Sequence, residues 1–248
     1  MLNSVPPGAA TALAFAGPKK RLEDIDLPRI ARAIGCGEDE IHAVIDVETA
    51  GGGSDAEGRL AMLFEPHRFW RNLGPGPLRD RAAALGLAYE RWGTKPYPAD
   101  SYPVLLKAIA IDETAALKSA SWGLGQILGE NHGLAGYSTV QAMIRDFTLD
   151  EDNHLEAMVR FIKARGLDEA LRTHDWTAFA RGYNGPHHAR HGYAQRLARR
   201  HAWWLAIRDT PFAPDPPDKS SLLARALAWL AARFAAHRHR PLRHRRTP

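Results

Sequence analysis

Apolar residues recur every three to four positions along most of the chain, which predicts a mainly helical protein. Residues 22–34 carry three isoleucines at helical spacing and end at a glycine. Residues 38–48 repeat the pattern with Ile41, Val44 and Ile45 on one face. Both segments therefore predict short amphipathic helices. The same spacing predicts further helices at about 103–120, 138–147, 149–165, 167–173, 175–183 and 188–209.

The helical pattern breaks at a glycine-rich segment, AGGGSDAEG at residues 50–58. Its three consecutive glycines disfavour a helix and allow a sharp loop. The next stretch, RLAMLFEPHRFW at residues 59–70, predicts a short hydrophobic strand that stops at Pro66. Residues 71–97 are rich in Gly, Pro and Arg and predict an irregular surface segment. The whole pattern indicates a helical fold with one small strand region.

The pattern also predicts how the chain is divided. We expect an N-terminal extension at residues 1–21, one domain at 22–209, a proline-rich linker at 210–220, and a basic amphipathic helix and tail at 221–248. No uncharged apolar stretch reaches the roughly 18 residues that a membrane span needs. The apolar N-terminus has no Lys or Arg ahead of it and follows two prolines, so it is not a convincing secretion signal.

Positive charge is concentrated at the C-terminal end. Eight Lys and Arg residues against two Asp give residues 211–248 a net charge of +6, so residues 1–210 carry −1 of the total of +5. Because residues 1–210 carry no excess positive charge, nucleic acid is not expected as a partner of this part of the chain. The Arg-rich terminal helix suits an anionic membrane or lipopolysaccharide surface, and the alternative is a final helix packed on the domain. Cys36 is the only cysteine, which excludes an intramolecular disulfide.

Glu48 stands at the end of the second predicted helix, directly before the glycine-rich loop. The partial negative charge of a helix C-terminus disfavours a carboxylate and raises its pKa, and apolar neighbours such as Val44 and Val47 act in the same direction. A general acid that works near neutral pH needs such a raised pKa. The alternative is an exposed Glu at a frayed helix end.

Two further motifs favour the functional interpretation of this carboxyl. Residues 121–126 read SWGLGQ, a Ser-x-Gly-x-x-Gln pattern, and residues 180–186 read ARGYNGP, an aromatic–Asn–Gly turn. A carboxylate at a helix end followed by these motifs resembles the lysozyme-like superfamily of goose-type lysozymes and lytic transglycosylases. The longer stretches VETAGGG, GRLAMLFEPHRFWR, SASWGLGQILG and DWTAFARGYNGP resemble the N-acetylmuramidase family found in phage endolysins of Gram-negative hosts, over about residues 22–207.

The resemblance implies a mainly α, lysozyme-like α+β fold, with helices around a glycan cleft and a small β-hairpin. It implies that Glu48 is the general acid that protonates the leaving oxygen of a glycosidic bond. The amides of Gln126 and Asn184 would hydrogen-bond N-acetyl and hydroxyl groups, and Tyr183 would hold the sugar ring and the acid in place. Gly123 and Gly125 would let the backbone approach the glycan. Trp122 is expected to serve packing rather than to be a sugar platform. The implied substrate-binding residues are Ser121, Gly123, Gln126, Tyr183 and Asn184.

A second carboxylate has three candidates, which the sequence leaves open. Glu65 lies on the predicted strand within the family's motif, and Glu57 would face the acid if the glycine-rich loop folds into a hairpin. In an inverting enzyme either of them, or ordered polar groups alone, would position the attacking water. Asp55 is the third candidate. The segment DAEGR departs from the glycine–aromatic sequence expected in relatives, and Glu65 could instead be a structural acid paired with Arg68 or His67.

No cofactor and no metal are expected. His187, His188 and His191 share one face of a predicted helix, but no acidic or cysteine ligand accompanies them, and the lysozyme-like chemistry needs no metal. The glycine-rich loop lacks the Lys-Ser/Thr pair of a phosphate-binding loop. Ser121 lacks the sequence context of a nucleophile elbow, which argues against a serine hydrolase.

These observations predict a peptidoglycan hydrolase of the endolysin type that cleaves the β-1,4 bond between N-acetylmuramic acid and N-acetylglucosamine. The alternatives are a lytic transglycosylase, which leaves 1,6-anhydro ends, a non-catalytic wall-binding protein, and a protein whose basic tail disrupts membranes. We expect a bacteriolytic monomer of phage or prophage origin. It would be made in the cytoplasm and act on the wall in the periplasm after holin-type release.

Overall fold

The computed structural model describes residues 15–18, 20–49, 52–185, 189 and 192–212. Within these ranges the chain is mainly helical, with one small antiparallel sheet. The helices are α1 (Asp26–Arg32), α2 (Glu38–Thr49), α3 (Pro66–Leu73), α4 (Pro77–Ala84), α5 (Tyr102–Ile109), α6 (Glu113–Lys118), α7 (Val140–Phe147), α8 (Glu151–Ala164), α9 (Asp168–Arg172), α10 (Trp176–Asn184) and α11 (Tyr193–Trp204). The strands are β1 (Met62–Phe64), β2 (Ala120–Trp122) and β3 (Ile127–Leu128), and a 3-10 turn follows at Gly129–Asn131.

The sheet has the strand order β1-β2-β3, with both pairs antiparallel. Met62 lies opposite Trp122 in the first pair, and Ser121 lies opposite Leu128 in the second. The SWGLGQ segment therefore comprises the end of β2 and the turn that joins it to β3. β1 ends before Pro66, which takes the first position of α3, where its missing N–H leaves no helical hydrogen bond unmade. The predicted helical fold with a small hairpin is confirmed.

Buried aromatic and aliphatic side chains around the sheet form the first of two core clusters. Trp122 is fully buried in it. Its indole N–H donates to the carbonyl of Leu117 at 3.0 Å, and its ring stacks on Phe15. This environment agrees with the packing role expected for Trp122. Because truncation of a buried Trp or Phe to Ala costs about 3–5 kcal/mol, the tryptophan is a main anchor of the hairpin on α6.

The second core cluster joins the helices that carry the candidate site. Ile41 of α2, Leu155 of α8 and Phe179 of α10 are buried together in it. Tyr183, near the end of α10, packs against both clusters. The end of α10 therefore lies where the two clusters meet, beside the hairpin turn and the end of α2.

Two predicted elements differ from the observed ones. Residues 103–120 form α5 and α6 rather than one long helix, because the Asp112 side chain accepts a hydrogen bond from the N–H of Ala115 and starts a new helix. The segment predicted to be irregular contains α4, which begins at Pro77 in the position where proline favours helix initiation.

The chain divides into two compact units, Met1–Pro211 and Phe212–Pro248. The predicted amphipathic helix and tail at 221–248, most of the predicted linker and residues 1–14 of the predicted extension lie outside the described residues. The predicted boundaries of the extension, domain and linker stay predictions. None of the helices in the described ranges is long and apolar enough to cross a membrane.

Candidate active site

Glu48 lies in the last turn of α2, which begins at Glu38 with three acidic residues in its first turn, where the helix dipole favours them. Burial raises the pKa of Glu48 to about 7, while a hydrogen bond from Asn184 and the charge of Arg196 oppose that rise. The Asn184 amide Nδ2 donates to Glu48 Oε1 at 2.9 Å. Near neutral pH this carboxyl is therefore protonated more readily than an ordinary Glu, as a proton donor requires.

Asn184 and Tyr183 end α10, and Gly185 follows with a φ of 83°, a conformation that L side chains rarely adopt. The Tyr183 hydroxyl donates to the carbonyl of Gly125 at 2.7 Å, which ties α10 to the hairpin turn. The Oδ1 atom of Asn184 is buried and forms no hydrogen bond with a described residue. A buried acceptor without a partner next to Glu48 is available to a protonated carboxyl or to a ligand.

The hairpin turn has an unusual backbone at two of its residues. Gly123 has a φ of 68° and Gln126 a φ of 44°, in the left-handed region where residues other than glycine are uncommon. The Gln126 amide Nε2 donates to the carbonyl of Gly123 at 3.0 Å and so closes the turn on itself. A Cβ on Gly125 would lie 3.0 Å from the Tyr183 hydroxyl. The turn therefore has a fixed shape, and Tyr183 lies directly against it.

Glu65 does not lie on the strand as predicted but directly after β1, as the N-cap residue of α3, and it is held by the hairpin. Its N–H donates to the carbonyl of Ser119, and the Ser121 hydroxyl donates to its Oε1 at 3.3 Å. Burial raises the pKa of Glu65. Its other oxygen lies 3.5 Å from His67 Nε2, which is the structural pairing that the sequence offered as an alternative.

The charges of both carboxyl groups act on a tyrosine of α11. Burial raises the pKa of Tyr193, and Glu48 and Glu65 both raise it further. Glu48 and Glu65 therefore both lie within electrostatic reach of Tyr193. The sequence pointed to each carboxyl separately but gave no sign of this tyrosine.

Asp55 and Glu57 lie in a small turn between Ser54 and Leu60, which form an isolated antiparallel bridge. Asp55 accepts hydrogen bonds from the N–H and the Nε of Arg59, both at 2.7 Å. Glu57 is 65% exposed at its side chain and pairs with Arg59 at 3.3 Å. The segment after the glycine-rich loop thus turns back on itself at this bridge, and Arg59 is the described partner of both acids.

His154 on α8 joins the two glycine-containing loops, and sequence reasoning missed it. Its Nδ1 accepts from the N–H of Leu124 at 3.2 Å, and its Nε2 donates to the carbonyl of Phe147 at 2.7 Å. A Cβ on Gly123 would lie 2.7 Å from Nδ1, and a Cβ on Gly53 would lie 2.9 Å from it. Both loops therefore need glycine at these positions. One turn of α8 away, Glu151 accepts from the N–H of Gly53 at 3.1 Å.

Arg196 on α11 is another residue that the sequence did not reveal. Its guanidinium donates to the carbonyl of Val47 at 2.8 Å, at the C-terminal end of α2, where a cation is favoured. It is the main positive charge that acts on Glu48. In the sequence it is only one of several arginines on an amphipathic helix, so no local signal identified it.

His187, His188 and His191, considered above as a metal site, lie outside the described residues. Among the residues that the structure describes, one group of side chains has the donor atoms and spacing for a metal ion: Glu40, His174 and His201. Glu40 is on α2, about 12 Å along the helix from Glu48. This group is separate from the candidate active site.

Comparisons with known proteins agree with this geometry. The model of a protein family described as N-acetylmuramidase matches residues 38–205, a range that contains every predicted site residue. The crystal structure of Burkholderia AP3 phage endolysin is similar to this chain with a TM-score of 0.66 and 31% sequence identity, over 82% of this chain and 79% of that chain. No curated protein matches the sequence. The structural likeness confirms the predicted lysozyme-like α+β fold.

Proposed function

Because the chain belongs to the N-acetylmuramidase family, we propose that it cleaves the β-1,4 bond between N-acetylmuramic acid and N-acetylglucosamine with Glu48 as the general acid. It is a glycoside hydrolase that acts on peptidoglycan, as the sequence predicted. The identity of the bond and the roles of the residues are the proposed part. The observation that carries them is the buried carboxyl of Glu48, whose pKa lies near 7 and which Asn184 holds by a hydrogen bond.

The proposed chemistry begins with the proton on Glu48. Protonation of the leaving oxygen accompanies the growth of positive charge at the anomeric carbon, and it leaves Glu48 as a carboxylate. Asn184 and Arg196 both favour the charged form of this carboxyl. Asn184 and Arg196 therefore stabilise Glu48 more after it has given up its proton than before. Interactions that strengthen during the reaction lower the activation barrier, and do more than tighten the binding of substrate.

Glu65 is our candidate for the second carboxylate, which would orient the attacking water. Support comes from its hydrogen bond with Ser121 and from the influence it shares with Glu48 on Tyr193. Glu57 and Asp55 stay weaker candidates, because each is paired with Arg59. Attack by the muramic 6-hydroxyl in place of water, as in a transglycosylase, is an outcome that the experiment below distinguishes.

We propose that the hairpin turn and the end of α10 line the glycan site. Tyr183 would position the turn and the sugar ring, since its hydroxyl is bound to Gly125. Asn184 would contact both the acid and the glycan, because its Oδ1 has no described partner. The side-chain N–H of Gln126 is used in the hydrogen bond to Gly123. Its amide oxygen would therefore be the atom that accepts a hydrogen bond from the sugar. Ser121 would act through its hydrogen bond with Glu65. The absence of a side chain at Gly123 would leave room for the glycan strand.

The remaining expectations concern where and with what the protein acts. We propose that it works as a monomer on the glycan strands of the wall in the periplasm, after holin-type release from the cytoplasm. The basic C-terminal end would add attraction to an anionic membrane or lipopolysaccharide. Support for that attraction is the net charge of +6 in residues 211–248.

Digestion of purified peptidoglycan tests the proposal. The intact chain, Glu48→Gln and Glu65→Gln would each be incubated with sacculi, and the released fragments identified by mass spectrometry. Glu169→Gln is the matched control, because Glu169 is an exposed acid on α9. We expect reducing N-acetylmuramic ends from the intact chain and the control, and a rate about 10²–10⁴-fold lower from Glu48→Gln.

Each other result would overturn a different part of the proposal. Anhydro ends, lighter by one water, would make the enzyme a transglycosylase with the same acid. Reducing N-acetylglucosamine ends would move the cleavage to the other glycosidic bond. A Glu48→Gln variant that keeps the intact rate while folding normally by circular dichroism would exclude Glu48 as the acid. A full rate in Glu65→Gln would exclude Glu65 as the second carboxylate.

A further inference from the structure

Two imidazoles from different elements converge on one oxygen of Glu40, away from the candidate active site. Nε2 of His174 lies 2.6 Å from Glu40 Oε1, and Nε2 of His201 lies 3.4 Å from the same oxygen. All three donor atoms lie within 4.8 Å of one another. The group joins α2, the turn after α9, and α11, so it lies where the helix that carries Glu48 meets its neighbours.

The surroundings hold these donors in place. The other oxygen of Glu40 accepts a hydrogen bond from the N–H of Gly37 at 2.9 Å, which leaves Oε1 directed at the two imidazoles. The Trp176 ring packs on both imidazoles, with centroid distances of 5.3 Å to His174 and 5.1 Å to His201. The hydrogen bond from Gly37 is of the kind that orients carboxylate ligands in protein metal sites.

The ring nitrogen of His201 is the atom that needs an explanation. His201 is only 6% exposed, and its Nε2 forms no hydrogen bond with a described residue despite the nearby carboxylate. Buried polar atoms in native structures almost always have a partner. The separation of 3.4 Å between His201 Nε2 and Glu40 Oε1 is longer than an ordinary N–H···O hydrogen bond, and a cation between the two atoms would satisfy both.

The backbone of His174 is a further, independent observation. His174 has a φ of 58°, although it is not a glycine. The turn after α9 needs this left-handed residue, since the N–H of Asp175 bonds to the carbonyl of Ala170 at 2.8 Å. A glycine would adopt that conformation without strain. Histidine at this position therefore places an imidazole against Glu40 at a cost to the local backbone.

We propose that Glu40, His174 and His201 bind a zinc ion, with a water molecule as the fourth ligand. Two imidazole nitrogens and one carboxylate oxygen are a ligand set that Zn²⁺ accepts at about 2.0–2.2 Å, which separates neighbouring donors by about 3.3 Å in a tetrahedral site. The distance of 3.4 Å between His201 and Glu40 already matches this spacing. His174 has to move back from Glu40 by about 0.7 Å to reach that spacing, and its 43% exposed side chain leaves room for that.

The ion would clamp α2 to α11 and to the turn after α9. It would stabilise the packing of the helix that carries Glu48 without touching substrate. The inference does not depend on the proposed cleavage reaction, because metal binding and thermal stability are measured without peptidoglycan.

The test uses the full untagged chain, stripped of metal with a chelator and then dialysed. Thermal unfolding is recorded without metal, with ZnCl₂ and with MgCl₂, and the number of zinc ions bound is measured by calorimetry. At a zinc concentration about 100-fold above the dissociation constant, we expect the melting temperature to rise by about 5 °C. Magnesium prefers oxygen ligands and should leave it unchanged.

Histidines elsewhere in the chain set the control. His174→Gln should bind one zinc ion fewer and lose the zinc-induced rise, whereas the double variant His237→Gln and His239→Gln should keep that rise. Each variant is compared with its own metal-free state, so a small loss of stability in His174→Gln does not affect the result. A second variant, Glu40→Gln, should behave like His174→Gln.

Two results would overturn the proposal. One is a melting temperature of the intact chain that zinc leaves unchanged. The other is a zinc-induced rise that is as large in His174→Gln as in the intact chain. Either result would make the group an ion pair between Glu40 and the two histidines, with no metal.

Discussion

The pKa of Glu48 sets the pH dependence that we expect of the reaction. A general acid must be protonated, and burial raises its pKa to about 7, so the active form is the main one below pH 7 and is lost as the pH rises through that value. The value of kcat/KM on soluble glycan fragments should therefore fall about tenfold per pH unit well above pH 7. A descending limb centred near 4.5, the ordinary value for Glu, would contradict the raised pKa.

Asn184 also affects the pKa of Glu48. Its amide stabilises the ionised carboxylate and so lowers the pKa of Glu48 from the value that burial alone would give. Asn184→Leu should move the descending limb of the pH profile to higher pH and lower kcat by about tenfold, because one charge-assisted hydrogen bond is lost. A variant with reduced activity but an unmoved limb would show that Asn184 acts on the glycan alone.

The buried carboxylate of Glu48 should also cost stability. Its pKa is raised in the folded state, so the penalty is full above about pH 7, decreases as the pH falls, and vanishes below the ordinary value of 4.5. After a discount for solvent screening, we expect Glu48→Gln to be more stable than the intact chain by about 1–2 kcal/mol at pH 8. Urea unfolding at pH 8 and pH 4 measures this, with Glu169→Gln as the control that should show no such gain.

The hairpin between β2 and β3 depends on a glycine at its turn. Gly123→Ala would place a Cβ 2.7 Å from Nδ1 of the buried His154 at a φ of 68°, so strain and overlap add. We expect a loss of about 2–4 kcal/mol in the free energy of unfolding and a loss of activity. Gly133→Ala is the matched control, because a Cβ there meets nothing within 4 Å. Equal stability of the two variants would exclude this role for His154.

The sequence predicted those elements whose signal is local. The two helices at 22–34 and 38–48 were found because the apolar period and the terminal glycines act within one segment, and α1 and α2 lie there. The division between α5 and α6 was missed, although Asp112 is a good N-cap residue, because the apolar pattern continues across it. Helix α4 was missed because its flanking glycines and prolines dominated the composition.

The site was predictable only in part, for the same physical reason. Glu48, Tyr183 and Asn184 belong to short motifs, so a resemblance identified them. Arg196 and His154 act through contacts that only the tertiary fold creates, the first with the end of α2 and the second with two distant loops. No spacing within one segment encodes such contacts.

At the scale of the whole molecule, charge and chemistry fall in different parts of the chain. The family match covers residues 38–205, within the unit Met1–Pro211, while residues 211–248 carry a net charge of +6. The remainder of the chain is nearly neutral. Attraction to an anionic surface and cleavage of the glycan should therefore be separable by truncation.

A chain that ends at Pro211 tests this separation. On purified peptidoglycan it should release fragments at the rate of the intact chain, since the candidate site lies wholly before that residue. On outer-membrane-permeabilised Gram-negative cells it should lyse more slowly than the intact chain at low salt. The difference should shrink as salt is added, because at about 0.15 M ionic strength charges are screened over about 8 Å. Loss of glycan cleavage on truncation would tie the tail to catalysis. A lysis rate that does not depend on the tail at any salt concentration would contradict the role of the tail as a surface anchor. Lysis would then depend on glycan cleavage at Glu48 alone.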